Sequence, residues 1–471
     1  MKMLLNGEWV DRASKIEVRD PQDNSLIDTV PLASIEDMKA AIEAAVSGFK
    51  RARQMPAHER MSILRKAVEI ISDRHEIFAQ TIAREGIKTI REARKEVTRA
   101  IDTMRISAEE ARRITGETIP FDQMPGSERR LGYFSREPIG IIGAITPFND
   151  PLNLVAHKVG PALASGNAII VKPDSKTPLS ALLLAKAIDD ADLPSGILQV
   201  LTGNGSEVGD VLVTDSRIRM ISFTGGLSTG KAIMQKVGLK KVGMELGSNA
   251  AVIVLPDADL DLAVSANVSG AFWAAGQNCL HVQRLLIHDD IYETFAPRFV
   301  AAAAKYKVGN KLDESTDMGP LINEKEAVRV EQLVNEAIEA GATLLTGGKR
   351  SGTYYSPTVL ENLPDACRLA REEIYGPVTI LYRFSTLEEA IARANDVEYG
   401  LQAGIFTRDI QKAFFAAAHL DCGGVMINDS TDYRIDAMPF GGVKGSGLGR
   451  EGIRFALQEM TEPKVVCFNL S

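Results

Sequence analysis

Two side chains in this sequence have the type and setting for covalent chemistry: Cys279, in Ala275-Gly276-Gln277-Asn278-Cys279-Leu280, and Glu245, in Val242-Gly243-Met244-Glu245-Leu246-Gly247-Ser248. Both sit in glycine-bearing, otherwise apolar stretches. Apolar surroundings raise a carboxyl's pKa, which suits a base that activates water. A thiol becomes a nucleophile only beside positive potential or a base. An isolated intracellular cysteine is ordinarily a small buried hydrophobe, and Cys367, Cys422 and Cys467 are read that way.

Two glycine-rich turns could approach a phosphate. Thr202-Gly203-Asn204-Gly205-Ser206-Glu207-Val208-Gly209 follows a strand-like run, but Gly209 falls one position late for the G-x-G-x-x-G fingerprint. The next strand-like run leads through Phe223-Thr224-Gly225-Gly226-Leu227-Ser228-Thr229 into a helical pattern, where backbone amides could meet a pyrophosphate at a helix N-terminus. Glycine turns end many strands, so neither is decisive alone. Lys172, followed by Pro173, closes another run and is placed to bond ribose hydroxyls.

The elements that must position these groups alternate between strand and helix patterns. From Ser34 to Gly116 helix dominates, opened by Ser34-Ile35-Glu36-Asp37 as a capping box, and the charged stretch Arg91 to Arg113 reads as a solvated helix face. Thr118 to Phe134 reads as extended arms. Short apolar runs follow at Ile139–Ile145, Ala168–Lys172, Leu198–Leu201, Met220–Phe223 and Ala250–Val254, the spacing of a parallel, doubly wound sheet. A second α/β series runs from Arg284–Ile287 through Val378–Tyr382 to Gly404–Phe406. The closing run, Glu462 to Leu470, reads as a strand in need of a partner edge, which points to oligomerisation.

With 471 residues, 45% hydrophobic and 25% charged, the chain is long enough for two or three packed domains. Its four cysteines, none in C-x-x-C spacing, exclude a disulfide framework and a zinc ribbon, and no metal site is expected. A net charge of -8 gives no footprint for nucleic acid. The opening Met1-Lys2-Met3-Leu4-Leu5-Asn6-Gly7-Glu8 is too short in apolar residues for a secretory signal, and no run reaches membrane-spanning length; the cytoplasm is the expected location.

Seven stretches, in order, resemble the aldehyde dehydrogenase superfamily: Thr146-Pro147-Phe148-Asn149, Val171-Lys172-Pro173, Phe223-Thr224-Gly225-Gly226, Glu245-Leu246-Gly247, Gly276-Gln277-Asn278-Cys279, Glu372-Glu373-Ile374-Tyr375-Gly376-Pro377-Val378 and Pro439-Phe440-Gly441-Gly442-Val443-Lys444-Gly445-Ser446-Gly447. The resemblance implies an α/β fold with a Rossmann-like cofactor domain (residues 1–117 and 136–244), an α/β catalytic domain (245–430) and a small β oligomerisation element (118–135 and 456–471). A homodimer or homotetramer follows from it. So does the chemistry: Cys279 attacks an aldehyde, the Asn149 amide and the Cys279 amide hold the oxyanion, and Glu245 activates the water that releases the acid. NAD or NADP would lie against Ile145, Thr146, Phe148, Lys172, Ser175, Gly205, Gly209, Phe223, Thr224, Gly226, Thr229, Leu246, Glu373 and Tyr375.

Departures from the family pattern bear on specificity. Ser175 stands where many NAD-preferring members carry glutamate, which leaves NADP open; Gly226 replaces a usual serine, Ser248 a common glycine and Tyr375 a usual phenylalanine. Asn278 stands where relatives acting on phosphorylated aldehydes often have arginine. Arg99, Asp150, Asn278, Arg434 and Phe440 are the substrate-side candidates, with Asp150 either bonding a substrate hydroxyl, pairing with Arg99 or Arg434, or stabilising a turn before Pro151. His281 reads as a buried structural histidine. The polar candidates favour a small hydroxylated or anionic aldehyde, nearest to the lactaldehyde, non-phosphorylating glyceraldehyde-3-phosphate and phosphonoacetaldehyde branch, with sulfolactaldehyde and succinate semialdehyde open. The alternatives are a CoA-acylating aldehyde dehydrogenase and a thioester or ester hydrolase on the same nucleophile.

Overall fold

The computed structural model describes residues 1–470. Its first sheet has eight strands in the order Glu8–Val10, Met3–Leu5, Leu198–Val200, Ala168–Lys172, Ile141–Ile145, Ile218–Thr224, Lys241–Glu245 and Gly447–Leu448. The five inner strands are mutually parallel and follow the doubly wound order 3-2-1-4-5, so the connectivity reverses beside Ile141–Ile145. Ligand crevices open at such a switch point, because the connections leave in opposite directions there. In register, Ile145 pairs with Lys172 and with Phe223, and Thr224 pairs with Glu245. Four neighbouring strands therefore deliver their chemistry to one edge.

The second sheet has seven strands, in the order Thr343–Thr346, Thr358–Glu361, Val378–Phe384, Val282–His288, Ala250–Val254, Gln402–Phe406 and Gly424–Ile427. All neighbours are parallel except the first pair. Along Ala250–Val254, Ala251 and Ile253 enter one apolar cluster, while Val252 and Val254 enter another. Burial on both faces explains why this run reads as continuously apolar.

Helices cover both sheets. Ile35–Gln54 begins with the anticipated capping box, the Ser34 hydroxyl accepting from Asp37 N at 3.1 Å and the Asp37 carboxylate accepting from Ser34 N at 2.9 Å. Ile90–Glu110 has a second such box at Thr89 and Glu92. This helix corrects the reading of Arg91 to Arg113 as a solvated face. Arg91 is exposed and Arg94 half-buried, but Glu92 and Glu96 are buried and hold the loops described below.

The strand Thr461–Asn469 does find an edge, within its own chain, pairing antiparallel with Arg130–Pro138, which in turn pairs with Glu117–Ile119. Its outer edge stays open and leaves Val465, Phe468 and Leu470 exposed. No helix among the described residues is long and apolar enough to cross a membrane, and no cluster of His, Cys, Asp and Glu among them could hold a metal.

Candidate active site

Cys279 lies in the loop between the helix Leu260–Phe272 and the strand Val282–His288. The loop opens with three consecutive left-handed residues, Ala274 (φ 50), Ala275 (φ 53) and Gly276 (φ 68). For an alanine that conformation costs about 1–2 kcal/mol, so surrounding bonds must impose it. They are present. Glu92 accepts from Ala274 N at 2.9 Å, and Gln277 accepts from Ile322 N at 2.9 Å while donating to Pro320 O at 3.2 Å. Ser248 donates from its hydroxyl to Cys279 O at 2.5 Å, a tie that a glycine there could not make.

Gly276 has no freedom to change, because a Cβ would sit 2.2 Å from the Gly376 carbonyl oxygen and its φ is positive. Gly276→Ala should displace the thiol and lower kcat/KM by about 100-fold, since a misplacement near 1 Å costs that much. Alkylation of Cys279 by iodoacetamide, followed alongside turnover, separates a displaced thiol from an unfolded chain. Unchanged kinetics would show that the loop does not position the sulfur.

Between the two sheets opens a cleft of ≈ 370 Å³. From the first sheet's edge come Ile145, Thr146, Phe148 and Asn149, then Phe223, Thr224, Gly226 and Thr229, then Glu245 and Leu246, with Lys172 beside them. The facing wall carries Cys279, Glu373 and Tyr375. Three of the proposed cofactor residues do not line it: Ser175 is half-buried next to Asp174, Gly205 is exposed on the surface, and Gly209 is buried, a Cβ there lying 3.7 Å from the Lys172 side chain; nor do the substrate-side candidates Arg99, Asp150, Asn278, Arg434 and Phe440. Sequence reading missed Leu154, Asp174, Gln277 and Glu326 on the walls.

The cleft fits a dinucleotide. Gly226 caps the helix Leu227–Met234 without a side-chain bond, and a Cβ on it would meet nothing, so the helix's first amides face open space. Lys172 is buried with only the Pro173 carbonyl accepting from it, at 2.8 Å. Glu373 accepts from Ser248 N at 2.9 Å, and burial pushes its carboxyl up to about 7. Tyr375 meets Phe148 edge to face at 5.9 Å. Thr146 Oγ1, Asn149 Oδ1 and Glu245 Oε2 are buried without a partner among the described residues, and such orphans call for a ligand or water.

Electrostatics differ sharply across the site. Burial pushes the Cys279 thiol up to about 12, against the pull of the Arg434 guanidinium. Burial, and then the neighbouring Glu451 carboxylate, also raise Glu245 well above the ordinary range, again against Arg434 and Lys158. Glu451 itself meets a burial penalty that Lys158 and Arg434 overcome, holding it at about 2. Lys158, fully buried, donates to Thr224 Oγ1 at 2.8 Å, Glu451 Oε1 at 3.0 Å and Ser222 Oγ at 3.1 Å. The two carboxyls therefore have opposite protonation tendencies: Glu451 is an anion, and Glu245 releases its proton late.

On the far side of Cys279 lies a charged cluster. Phe440 shares an apolar contact group with Cys279, and the Arg434 guanidinium lies over the Phe440 ring at 3.7 Å. Arg434 pairs with Glu451 at 3.1 Å, not with Asp150. Arg99 binds Asp436 at 2.8 Å, and Asp436 also takes His157 at 2.7 Å. Asp150 is paired with buried Lys88 and lies 3.7 Å from Arg99. Lys88 also binds Glu96 at 2.7 Å, and Glu96 accepts from Leu152 N and Asn153 N. Asn278 Oδ1 accepts from Leu280 N at 2.9 Å and its Nδ2 donates to Trp273 O at 3.4 Å, so its amide braces the loop backbone. His281 bonds the Val378 carbonyl at 2.9 Å, and burial holds its ring down at about 4.

A doubly wound sheet whose switch-point crevice faces a loop-borne cysteine across one cleft is the architecture of a dinucleotide-dependent oxidoreductase. The chain belongs to the aldehyde dehydrogenase family, whose model matches residues 9–466. It is 52% identical over 455 residues to aspartate-semialdehyde dehydrogenase 1 of Pseudomonas canavaninivorans, covering 97% of either chain. It is 45% identical over 468 residues to 3-sulfolactaldehyde dehydrogenase of Priestia aryabhattai, covering 99% of this chain and 98% of the relative. Among solved structures, NADP-dependent glyceraldehyde-3-phosphate dehydrogenase from Bacillus halodurans C-125, complexed with NADP, superposes with a TM-score of 0.97 at 40% identity, over 100% of this chain and 99% of that one. The protein is an oxidoreductase that acts on small aldehydes with NAD or NADP as cofactor.

Proposed function

We propose that this chain converts a short polar aldehyde to the free carboxylic acid through a covalent bond to Cys279. The observation that carries the reading is the opening of Cys279, Glu245 and the unengaged Asn149 amide onto one cleft. The Cys279 sulfur, on losing its proton, adds to the carbonyl carbon, and the carbonyl oxygen becomes an oxyanion held by the Asn149 amide and the Cys279 N–H. Lys172, Glu373 and the amides after Gly226 would hold a dinucleotide, which would supply the acceptor for the hydride lost from the carbonyl carbon as the oxyanion collapses to a thioester on Cys279. Glu245, once ionised, takes a proton from water as that water attacks the thioester carbon. The acid departs and the thiolate is restored.

Steady-state assay with a panel of short aldehydes, with product identification, tests this directly. Free acid is expected with or without coenzyme A; acyl-CoA formed in its place would establish the acylating alternative, and acid formed without NAD(P) the hydrolase. The relatives' named substrates, aspartate semialdehyde, 3-sulfolactaldehyde and glyceraldehyde-3-phosphate, are all short and bear polar or charged groups, which supports the same class here.

Acceptance of NADP rests on Ser175, half-buried and uncharged beside Asp174 and the exposed Lys176. Ser175→Glu adds a carboxylate next to the cleft-lining Asp174 and should lower kcat/KM for NADP at least about tenfold relative to NAD, as like-charge apposition to a 2′-phosphate costs about 1–2 kcal/mol or more. An unchanged NADP-to-NAD ratio would remove position 175 from cofactor choice. The first sheet is on this reading the cofactor domain and the second the catalytic one. The open edge at Val465 and Phe468 is where a second copy would add strands to form a dimer or tetramer.

A further inference from the structure

Arg99 and Asp150 form an arrangement that simple anion binding does not require. Arg99 spends its Nε and Nη2 on Asp436, at 3.4 and 2.8 Å, and leaves Nη1 without a hydrogen bond among the described residues. Asp150 spends Oδ1 on Lys88 and leaves Oδ2 likewise free. The free nitrogen and the free oxygen are 3.7 Å apart, beyond hydrogen-bond reach. Arg99 keeps 30% of its side chain exposed, whereas Asp150 is buried apart from 11% of its side chain. Neither Arg99 nor Asp150 lines the cleft itself; the cluster borders it through Phe440, which packs against Cys279, and through Asp150, which follows the cleft-lining Asn149 in sequence.

The charges around it balance. Lys88 and Arg99 face Glu96, Asp150 and Asp436, while Lys158 and Arg434 face Glu451, and the two groups meet only at His157, which lies against Asp436 and Arg434. His157, on the helix packed against them, loses its proton readily because it is fully buried. No cation is left over for a bare anion, so a carboxylate or phosphate alone would approach Arg99 and meet Asp150 as well. A head group carrying both signs would satisfy both free atoms at once.

Building on the aldehyde oxidation proposed above, we infer that the site selects a zwitterionic aldehyde, a short 2-amino acid with a terminal aldehyde, whose carboxylate binds Arg99 Nη1 and whose ammonium binds Asp150 Oδ2. The two groups sit on one carbon of such a molecule, the spacing that a donor and an acceptor side by side require. Asp150 and Arg99 are then specificity-determining residues. A hydroxyl in place of the ammonium keeps one hydrogen bond and loses its charge.

Three probes with one carbon skeleton decide the matter: L-aspartate 4-semialdehyde, 2-hydroxy-4-oxobutanoate and succinate semialdehyde, which differ only in the substituent at carbon 2, with propanal as an uncharged reference. The amino compound should exceed succinate semialdehyde in kcat/KM by roughly ten- to a hundredfold, the worth of one charge-assisted hydrogen bond, with the hydroxy compound between. Asp150→Asn should collapse that ratio, and the wild-type comparison stands even if this variant folds poorly. Equal use of the probes, or preference for succinate semialdehyde or the hydroxy compound, overturns the inference while leaving aldehyde oxidation intact. Failure on all of them, propanal included, sinks the underlying reading as well.

Discussion

Cys279→Ala should abolish aldehyde-dependent reduction of NAD(P), by about 10⁴-fold or more, as removal of a covalent nucleophile does elsewhere. Serine in its place should fare little better. A serine hydroxyl needs a strong neighbouring base, and His281, two residues on, is a weak one, its Nε2 bonded to the Val378 carbonyl and its ring held down at about 4 by burial. The cleft walls that would hold the cofactor do not depend on the sulfur, so quenching of protein fluorescence on adding NADP should persist in the variant and report a folded site. Parent-rate turnover by Cys279→Ala would end the covalent reading. The same thiol dictates the pH profile. With the thiol raised to about 12 and Glu245 also raised, the reactive anions grow more abundant as pH increases, so kcat/KM should climb through and above neutrality. Arg434 opposes both shifts, so Arg434→Met should move that rise to still higher pH.

What the sequence disclosed depended on how local its physical signals were. Four of the five inner strands of the first sheet were legible because runs such as Ala168–Lys172 and Ile141–Ile145 are compact, apolar and end in turn residues, whereas the fifth, Lys241–Glu245, was missed and Ala250–Val254, read in the same series, belongs to the second sheet. The Ser34 cap was legible because both partners lie within four residues. The helix Asn153–Ala164 gave no periodic pattern, since every residue in it is buried, and the short strands Met3–Leu5 and Glu8–Val10 were too brief to register. The glycines and side chains that line the cleft follow strand ends, where motif and geometry coincide. The charged cluster was only half visible. Arg99, Asp150 and Arg434 stood out by type, but Lys88, Glu96, His157, Asp436 and Glu451 join them across long stretches of chain that no local pattern connects. That is why Asp150 looked equally suited to Arg99, Arg434 or a turn, when its firm partner is Lys88. A zwitterionic substrate could not have been foreseen from Arg99 alone, since it is the free oxygen of Asp150 beside it that alters the expectation of a plain anion.

Glu245→Gln should separate the two halves of the reaction. Glutamine keeps the shape of the side chain and removes its capacity to accept a proton, so attack by Cys279 and hydride departure continue while hydrolysis of the thioester stalls. Rapid mixing should show one equivalent of reduced cofactor per site in a burst, followed by a steady rate lower by about 10²- to 10⁴-fold, the usual share of a positioned general base. Acid quench should recover acyl groups bound to Cys279. Glu245 fits this duty because its Oε2 is buried without a partner and because Glu451, held as an anion by Lys158 and Arg434, raises its affinity for a proton. A carboxylate poised in this way accepts a proton from water more readily than an exposed one. The alternative assignments lead to different traces. If Glu245 instead deprotonated the thiol, the burst itself would disappear with the steady rate; if it served only the packing of Gly441, whose Cβ would stand 2.9 Å from Glu245 Oε1, glutamine would leave both phases unchanged.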